Sequence, residues 1–497
     1  MTAAKTRKLA TKKSTKTAPT PAPVIDNLSE ALVPSIIVIF GITGDLSRRK
    51  LLPALYHLLK DGLLHDNTEI VGISRRAVDL DDLMMHAEVC ILEEDKTCDP
   101  AILKLLKEKL HMYQMELARD EHYPELKKHL NQIEAKHGVC MNRLFYLSIP
   151  PTVYAPLVKN LGKHGLNGSC RHGNAQSRVL IEKPFGYDLR SAMELIDDMG
   201  RYFKEAQMFR IDHYLAKETV QNILTFRLHN PIFRPLWNRE YINRIEIVAS
   251  ETIGIEGRGN FYEPIGAMRD LIQSHLLQLL GVVAMDRPSD LTSDEIHAAK
   301  LRLLESIMPV PADKINAQAV RGQYDDYREE VGNPHSNTET FAALKLFIDD
   351  ERWQDVPVII RTGKALAAKQ TAVHIDFKHP LDHEHTNRLT FAVQPSEGIT
   401  VELWVKRPGF ERKLQTATMD FSYQRTFDEA GHPDAYERVL VDAIRGDRTL
   451  FATSDEVLAA WRVIEPVVQA WAKNGTGLHR YKPGSDGPKA FDDAPAA

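Results

Sequence analysis

An unbroken apolar run, SIIVIF at Ser35–Phe40, stands near the start of the chain and ends at Gly41. Its Ile and Val content predicts a strand buried on both faces of a parallel sheet. From Leu46 onward leucines recur at helical spacing, and the further strand candidates TEIVGIS, RLFYLSIP and SRVLIEKPFG are separated by helical stretches. Strands that alternate with helices predict a doubly wound parallel sheet of the Rossmann type, an α/β domain over residues 34–212.

The pattern changes after about residue 213. The segments NRIEIVASET, PVIIRTGKAL, AVHIDFK, RLTFAVQP and ITVELWVKR partly alternate apolar and polar residues, and most follow one another without a helix between them. This arrangement predicts a mostly antiparallel sheet with one solvated or interface face. Helices are predicted at MRDLIQSHLLQLLGVVAM and PDAYERVLVDAIRGD. The expected second unit is therefore a larger α+β domain over residues 213–485.

Composition and charge narrow the class of protein. With 43% hydrophobic and 26% charged residues, the 497-residue chain has the composition of a globular protein and is too long for one core. No apolar run approaches the roughly 18 residues that span a membrane, so no membrane partner is expected. The first 24 residues hold six basic side chains and no acidic one, so the rest carries −11 rather than the overall −5. An acidic body argues against nucleic-acid binding.

Both ends of the chain are predicted to be tails. Residues 1–33 are rich in Lys, Thr, Ala and Pro, which predicts a disordered basic tail. A solvated tail is favoured over a targeting peptide, because the segment lacks the apolar core of a secretory signal. Residues 486–497 are the predicted C-terminal tail. The four cysteines are scattered without a CxxC pair, which favours reduced thiols, a cytoplasmic protein and no metal site.

A glycine-containing turn joins the first predicted strand to the first helix. Only the second and third glycines of the GxGxxG fingerprint are present, since Ile39 stands at the first position. Gly41 allows the backbone to approach a pyrophosphate, Gly44 allows close helix–strand packing, and Thr43 can add a hydroxyl donor. An ordinary strand–helix turn is the alternative interpretation.

The end of the second predicted strand bears on the choice of cofactor. NAD enzymes usually place Asp or Glu there to bind the ribose 2′-hydroxyl. This chain has Ser74, Arg75 and Arg76 instead. Because a guanidinium suits a 2′-phosphate, NADP is the expected cofactor and NAD the weaker alternative. Arginines that merely solvate a surface loop are the competing interpretation.

Two ionisable stretches indicate a site for a charged substrate. In RIDHYLAKE, Arg210–Glu218, the side chains of His213, Tyr214 and Lys217 would share one face if the segment starts a helix, which would suit a phosphate. Lys183 ends a predicted strand, at the edge of a parallel sheet where ligands bind. A solvated helix face and a surface lysine are the alternatives.

His275 is the candidate base. It shares the inward stripe of its predicted helix with Leu271 and Leu279. Such a histidine is more often a core residue than a catalyst, and in either case it needs a hydrogen-bond partner. A carboxylate on its Nδ1 would fix the tautomer and raise the basicity. Asp212 is the candidate partner, although spacing alone does not bring the two residues together.

A set of motifs, taken together, resembles one known family. The chain contains, in order, GITGDLSRRKLLPAL, LSIPPTVY, IEKPFGYDL, RIDHYLAKE, EGRGNFYEPIGAMRDLIQSHLLQ, RTGKALAAK and PDAYERVLVDAIRGD. This set resembles the glucose-6-phosphate dehydrogenases over residues 34–485, and RIDHYLAKE with EKPFG is its most specific part. The chain departs from the family pattern at Ala216 and Asn260, where glycine is common.

The resemblance implies oxidation of glucose 6-phosphate at C1 to 6-phosphogluconolactone with hydride transfer to NADP, the first step of the pentose phosphate pathway. His275 would be the general base and Asp212 its orienting carboxylate. The implied substrate-binding residues are Lys183, His213, Tyr214, Lys217, Glu251, Asp270, Lys364, Lys369 and Gln394. The implied cofactor-binding residues are Gly41, Thr43, Gly44, Asp45, Leu46, Arg75, Pro150 and Lys183.

The resemblance also bears on assembly and on further sites. It implies a homodimer or homotetramer formed through the sheet of the second domain, and a constrained, cis bond before Pro184. Some animal members bind a second, structural NADP through basic residues at positions where this chain has Gln370, His374 and Ala392, so that site is not expected. A sugar oxidoreductase of the glucose–fructose oxidoreductase type and a non-catalytic NADP sensor are the alternative functions.

Overall fold

The structure is a computed structural model in which part of the chain is described. The described residues are 32–168, 175–379, 386–427, 433–474, 477–489 and 491. The predicted basic tail lies outside them up to residue 31, and the predicted C-terminal tail lies outside them at 490 and from 492 onward.

The first sheet is built mainly from the first half of the chain. Its parallel strands are β1 Ser35–Phe40, β2 Glu69–Ser74, β3 Leu110–Gln114, β4 Asn142–Leu147, β5 Ser177–Ile181 and β6 Met208–Ile211. They lie in the order β3-β2-β1-β4-β5-β6, so the strand order reverses between β1 and β4. Every residue of β1 is buried, as the unbroken apolar run predicts. The expectation of a doubly wound parallel sheet is confirmed, and its switch point is where such folds bind ligands.

Helices join these strands. They are α1 Leu52–Lys60, α2 Leu80–Asp95, α3 Pro100–Lys109, α4 His122–His137, α5 Tyr154–Lys163, α6 Leu189–Gly200 and α7 Glu218–His229, with a π-helical segment at Ser47–Leu51 and 3-10 turns at Pro151–Val153 and Glu205–Gln207. The side chains of Asp79, Asp99 and Asp188 accept backbone N–H groups at the starts of α2, α3 and α6, as N-caps do.

The second sheet is mostly antiparallel, which confirms the fold class predicted for the second part of the chain. The strands of the second half of the chain are β7 Ile242–Ser250, β8 Ala319–Tyr324, β9 Phe341–Leu346, β10 Val358–Gly363, β11 Gln370–Phe377, β12 Arg388–Gln394, β13 Gly398–Lys406, β14 Leu414–Ser422, β15 Phe451–Ala452 and β16 Leu478–Tyr481. All of them except β15 belong to the second sheet. The order is β14-β13-β12-β11-β7-β10-β9-β8-β16, and β7–β10 and β8–β16 pair in parallel. The exception is β15, which pairs antiparallel with β6 in the first sheet.

The remaining helices pack around both sheets. They are α8 Gly259–Tyr262, α9 Leu277–Ala284, α10 Ser293–Ser306, α11 Ile315–Gln318, α12 Tyr327–Glu330, α13 Tyr423–Thr426, α14 Ala435–Arg445 and α15 Ser454–Asn474, with a π-helical segment at Met268–Leu276 and 3-10 turns at Arg234–Leu236 and Ala312–Lys314. Within the described ranges, no helix is both long enough and apolar enough to cross a bilayer.

The structure corrects the local conformation of RIDHYLAKE. The segment does not start a helix: β6 ends at Ile211 and α7 begins at Glu218. Between them the Asp212 side chain accepts the N–H of Tyr214 at 3.0 Å, and the Asp212 carbonyl accepts the N–H of Leu215 at 3.0 Å. Aspartate favours a turn of this kind because its short side chain bonds to its own backbone two residues on. The argument from a shared helix face is therefore wrong.

The cysteines of the described residues differ in state. Cys90 and Cys98 are half-buried and reduced, in agreement with the expectation from the sequence. Cys140 is disulfide-bonded. The expectation of a reduced thiol is therefore wrong for this residue.

Candidate active site

A cleft of about 810 Å³ opens at the switch point of the first sheet. Gly41, Thr43 and Gly44 line it from the loop after β1, and Pro150 lines it from the loop after β4. Gly41 has φ +86°, and a Cβ atom there would lie 2.1 Å from the carbonyl oxygen of Ser148. The turn therefore requires glycine, and it leaves the cleft open to a ligand backbone.

Two arginines border the same cleft at the end of β2. Arg75 and Arg76 are both exposed, and both line it. Three of the predicted cofactor residues do not line the cleft: Asp45, Leu46 and Lys183, which lines a second cavity instead. Asp45 is exposed and pairs with Arg49 at 2.8 Å, and Leu46 packs against the hydrophobic core. The cleft has the size and the phosphate-approach loop that a dinucleotide needs, so its residues fit a nicotinamide cofactor.

A second, smaller cavity of about 270 Å³ holds most of the predicted substrate residues. It lies between the end of the first sheet and the start of the second. The structure brings together here residues that are up to 181 positions apart in the sequence, because four separate segments of the chain meet. Its lining consists of Lys183, His213, Tyr214, Glu251, Ile255, Arg258, Phe261, Tyr262, Asp270, Leu271, His275 and Lys364.

His275 and Asp212 form a buried pair at the base of this cavity. The Nδ1 atom of His275 lies 2.5 Å from Oδ1 of Asp212, and both side chains are buried. His275 is carried by the π-helical segment that precedes α9, and Asp212 follows β6. A π-helical turn is uncommon and often found at functional sites. The inward orientation of His275, predicted from its apolar neighbours, is confirmed by its burial together with Leu271 and Leu279.

The protonation of this pair suits a general base. Asp212 occupies Nδ1, and the Nε2 atom of His275 is buried without a hydrogen-bond partner among the described residues. Burial lowers the pKa of His275 and outweighs the opposite effect of Asp212. Burial also acts to raise the pKa of Asp212, but the charge and hydrogen bond of His275 hold it at about 2. Near pH 7 the pair is therefore a neutral imidazole, protonated on Nδ1, beside an ionised carboxylate.

Two rings from RIDHYLAKE fix the plane of the His275 imidazole. The ring of Tyr214 stacks on it with centroids 4.3 Å apart and planes 16° apart, while the ring of His213 meets it edge-on at 4.6 Å. Burial, followed by the nearby charge of His275, lowers the pKa of His213 well below its usual range. His213 is therefore neutral near pH 7.

Two ion pairs bracket the cavity. Lys183 Nζ donates to the carbonyl oxygen of Asp270 at 2.8 Å and to its Oδ1 at 3.0 Å, and the ammonium of Lys364 donates to Glu251. Burial acts to raise the pKa of Asp270, but the charges of Lys183 and Lys364 outweigh it and hold the pKa at about 2. The bond between Lys183 and Pro184 is cis, as the family resemblance implies.

Three predicted substrate residues lie outside this cavity. Lys217 donates to Oε1 of Gln394, and its Nζ lies 5.1 Å from the centroid of the Tyr214 ring. Gln394 in turn donates to Thr371 Oγ1 at 3.0 Å. Burial lowers the pKa of Lys217, and the charge of exposed Lys369 lowers it further. These three residues form a separate polar group behind Tyr214.

Several residues that line the cavity are not predicted from the sequence. Arg258, Phe261 and Tyr262 come from the motif EGRGNFYEP, and Ile255 directly precedes it; the sequence predicts no role for any of the four. Gly257 has φ +73°, a conformation that favours glycine. A glycine at this position is the signal in the sequence for a tight turn. The turn lies between Ile255 and Arg258, which both line the cavity.

Comparisons with known proteins agree with this architecture. The family model for the glucose-6-phosphate dehydrogenase NAD binding domain matches residues 38–222, and that for the C-terminal domain matches residues 224–496. Glucose-6-phosphate 1-dehydrogenase from Chlamydia muridarum is 38% identical over 93% of this chain and 95% of its own length. The Bacillus subtilis enzyme is 37% identical over 92% and 96%, respectively.

Solved structures are similar over the same extent. A glucose-6-phosphate dehydrogenase in complex with its substrate glucose-6-phosphate has a TM-score of 0.85 and 32% identity, covering 92% of this chain and 96% of its own. Glucose-6-phosphate 1-dehydrogenase from Mycobacterium avium has a TM-score of 0.80 and 33% identity, with the same coverage. The chain therefore belongs to the glucose-6-phosphate dehydrogenase family of oxidoreductases, which bind a nicotinamide cofactor.

Proposed function

We propose that the chain oxidises glucose 6-phosphate at C1 to 6-phosphogluconolactone, with His275 as the general base. The observation that carries this proposal is the buried Asp212–His275 pair. The Nε2 atom of its histidine has no hydrogen-bond partner in the described part of the chain, and His275 lines a charged cavity. Membership of the family favours this reaction over a sugar oxidoreductase of the glucose–fructose oxidoreductase type and over a non-catalytic sensor.

The base acts on the hydroxyl group at C1. As the carbonyl forms, Nε2 of His275 accepts the hydroxyl proton, and the imidazolium that results is stabilised by the carboxylate of Asp212 on Nδ1. A positioned base of this kind contributes roughly 100- to 10,000-fold in rate. A bound nicotinamide supplies the acceptor for the hydride that leaves C1.

The two ends of the substrate are assigned to different residues. His213 and Tyr214 bind the phosphate together with Lys217, whose ammonium lies behind the Tyr214 ring. The ammonium of Lys217 binds a dianion through charge-assisted hydrogen bonds, which are stronger than the neutral ones that His213 and Tyr214 donate. Lys183, Glu251, Asp270 and Lys364 bind sugar hydroxyls. Lys369, just before β11, and Gln394, at the end of β12, also contribute.

NADP is the proposed cofactor, and NAD is the weaker alternative. Arg75 and Arg76 are exposed along the cleft, where they can bind a 2′-phosphate. Ser74 stands at the end of β2 in place of the acidic residue that binds a ribose hydroxyl in NAD enzymes. The carboxylate of Asp79, which also lines the cleft, already accepts the N–H of Asp81 as the cap of α2.

The second sheet is the proposed oligomer interface. The exposed large apolar side chains here are Val405 on β13, Leu414 and Met419 on the neighbouring edge strand β14, and the nearby Phe410 and Phe427. A concentration of such residues on one edge is typical of a protein interface. We therefore expect a homodimer or homotetramer, and a cytoplasmic location remains a prediction from the sequence.

The test of this function is the absorbance of reduced nicotinamide with the purified full chain. Glucose 6-phosphate and free glucose are each offered with NADP and with NAD, and the His275→Asn variant controls for contaminating activity. Rapid reduction of NADP with glucose 6-phosphate is the expected result. Turnover of free glucose but not of its phosphate would support the glucose–fructose oxidoreductase type, and cofactor binding without any turnover would support a sensor.

A further inference from the structure

A segment near the C-terminus, residues 478–489, lies against the loop that carries Lys364. It begins with β16, which pairs in parallel with β8 at the edge of the second sheet, and continues through Ser485 and Gly487. Gly487 fits so closely that a Cβ atom there would lie 2.9 Å from the ring of Phe341 and 3.2 Å from Leu366. Gly487 and Pro488 are therefore packed against the second sheet, although the sequence predicts a tail there.

This segment binds the backbone of the Lys364 loop at successive positions. The Tyr481 hydroxyl donates to the carbonyl oxygen of Lys364 at 2.8 Å. The N–H of Gly484 donates to the carbonyl oxygen of Ala365 at 2.8 Å, and the N–H of Ala367 donates to the carbonyl oxygen of Ser485 at 2.9 Å. Tyr481 is itself buried and also bonds to Thr340 Oγ1 at 2.8 Å, so its hydroxyl has little freedom to move.

The bound loop contains a strained residue. Ala365 has φ +51°, a conformation that costs a non-glycine residue on the order of 1–2 kcal/mol. Such a residue persists only where its surroundings hold it. On the side of the loop away from the C-terminal segment, its N–H donates to the carbonyl oxygen of Ile253 at 2.8 Å. The other support of this peptide is the C-terminal segment.

The strained loop also determines the positions of two charged groups in the substrate cavity. Lys364 precedes Ala365 directly, and its ammonium pairs with Glu251 inside the cavity. The backbone of Glu251 is tied to the same loop, because its N–H donates to Gly363 and its carbonyl accepts the N–H of Leu366, each at 2.9 Å. A shift of the loop would therefore move both members of the ion pair.

We propose that Tyr481 is a positioning residue for substrate binding: its hydroxyl, with the rest of segment 478–489, holds the strained Ala365 peptide and so places Lys364 and Glu251 against the sugar. Tyr481 does not line the substrate cavity, and its contact with the residues that do is through the Lys364 loop. The effect on substrate binding rests on the function proposed above, whereas the effect on the loop does not.

The test compares two tyrosines in the full chain. Tyr481→Phe removes the hydroxyl that reaches the Lys364 carbonyl. Tyr56→Phe is the matched control, because Tyr56 is also buried and lines neither cavity. Its hydroxyl likewise bonds to the backbone, since it accepts the N–H of Asp99 at 2.7 Å. All assays are run well below the lowest unfolding midpoint of the set. Kinetic constants for glucose 6-phosphate and NADP and amide hydrogen exchange of residues 364–367 are measured.

Loss of the hydrogen bond to the Lys364 carbonyl predicts a KM for glucose 6-phosphate about five- to tenfold higher in Tyr481→Phe. The KM for NADP and kcat should stay within about twofold, exchange at residues 364–367 should accelerate, and Tyr56→Phe should change none of these. Adding Ala365→Gly to Tyr481→Phe should lower the KM again, because glycine adopts a positive φ without strain.

Three results would overturn the proposal. These are an unchanged KM for glucose 6-phosphate in Tyr481→Phe, equal effects in Tyr481→Phe and Tyr56→Phe, and a double variant with no recovery. If the unmodified chain does not oxidise glucose 6-phosphate, the proposed function fails. The hydrogen-exchange comparison still decides whether Tyr481 holds the loop, and unchanged exchange would reject that role.

Discussion

Replacing Asp212 by Asn is the sharpest test of the base. The amide keeps the size of the carboxylate but loses its charge, and its NH2 group can donate to Nδ1 of His275. The imidazole would then carry its proton on Nε2, the atom that has to accept the substrate proton. Both the charge and the tautomer of the pair are altered, while the cavity lining, which excludes Asp212, is left intact.

The size of the effect follows from the geometry of the pair. Asp212 is buried 2.5 Å from His275, and its pKa is held at about 2 instead of 3.8. At 1.36 kcal/mol per pKa unit, this difference is on the order of 2 to 3 kcal/mol in favour of the ionised carboxylate beside His275, or roughly 60-fold in rate. The unfavourable tautomer adds to this loss, so kcat should fall by about 100- to 10,000-fold, the range of general-base catalysis.

The assay is steady-state reduction of NADP with saturating glucose 6-phosphate. The KM for glucose 6-phosphate should remain within about threefold, because a residue outside the cavity contributes little to uniform binding. The comparison is with His275→Asn and with the double variant that carries both Asp212→Asn and His275→Asn. Residues that act as one unit give non-additive losses, so the double variant should be little slower than His275→Asn alone.

Two outcomes would refute this reasoning. A variant with normal kcat and a raised KM would assign Asp212 to substrate binding. Losses that multiply in the double variant would show that the two side chains act independently, despite their contact. The unfolding midpoint of each variant has to be measured too, since a buried carboxylate removed from its partner can also lower stability.

Three further predictions concern binding and pH. Lys217→Ala should raise the KM for glucose 6-phosphate by about 10- to 100-fold, the worth of a hydrogen bond to a charged group, and should hardly change the kinetics with free glucose; equal losses with both sugars would contradict a role at the phosphate. Replacing Arg75 and Arg76 by Ser should raise the KM for NADP by about 10- to 100-fold and leave that for NAD unchanged, whereas a parallel rise in both would place the arginines elsewhere. Burial lowers the pKa of His275 from 6.5, so kcat/KM should fall only below pH 6.5, where the base becomes protonated. The pH profile should be measured with free glucose, which carries no titrating phosphate. A fall that begins above pH 6.5 would be inconsistent with a buried neutral base.

The period of apolar residues was sufficient to predict both sheets. Buried strands such as β1 read as unbroken apolar runs, because water is excluded from both faces. The strands of the second sheet were recognised for a similar local reason, since their residues partly alternate. Gly41 also indicates the turn after β1, because glycine is the residue that adopts a positive φ, here +86°, without strain.

Periodicity was less reliable within RIDHYLAKE. A helix was assumed there, but the side chain of Asp212 bonds to the N–H of Tyr214 and forms a turn instead. His213 and Tyr214 still reach the cavity, whereas Lys217 bonds to Gln394 behind the Tyr214 ring. A local hydrogen bond of this kind competes with helix formation and leaves no trace in the spacing of apolar residues.

The sequence by itself determined the fold class, the glycine turn, the inward face of His275 and, through its motifs, the family. Only the tertiary structure decided that Asp212 meets His275, that Lys183 meets Asp270, and that Tyr481 supports the loop of Lys364. Local patterns report which face of an element is buried. Contacts between elements that are 63 to 117 residues apart depend on how the two sheets pack, and packing is a property of the whole chain.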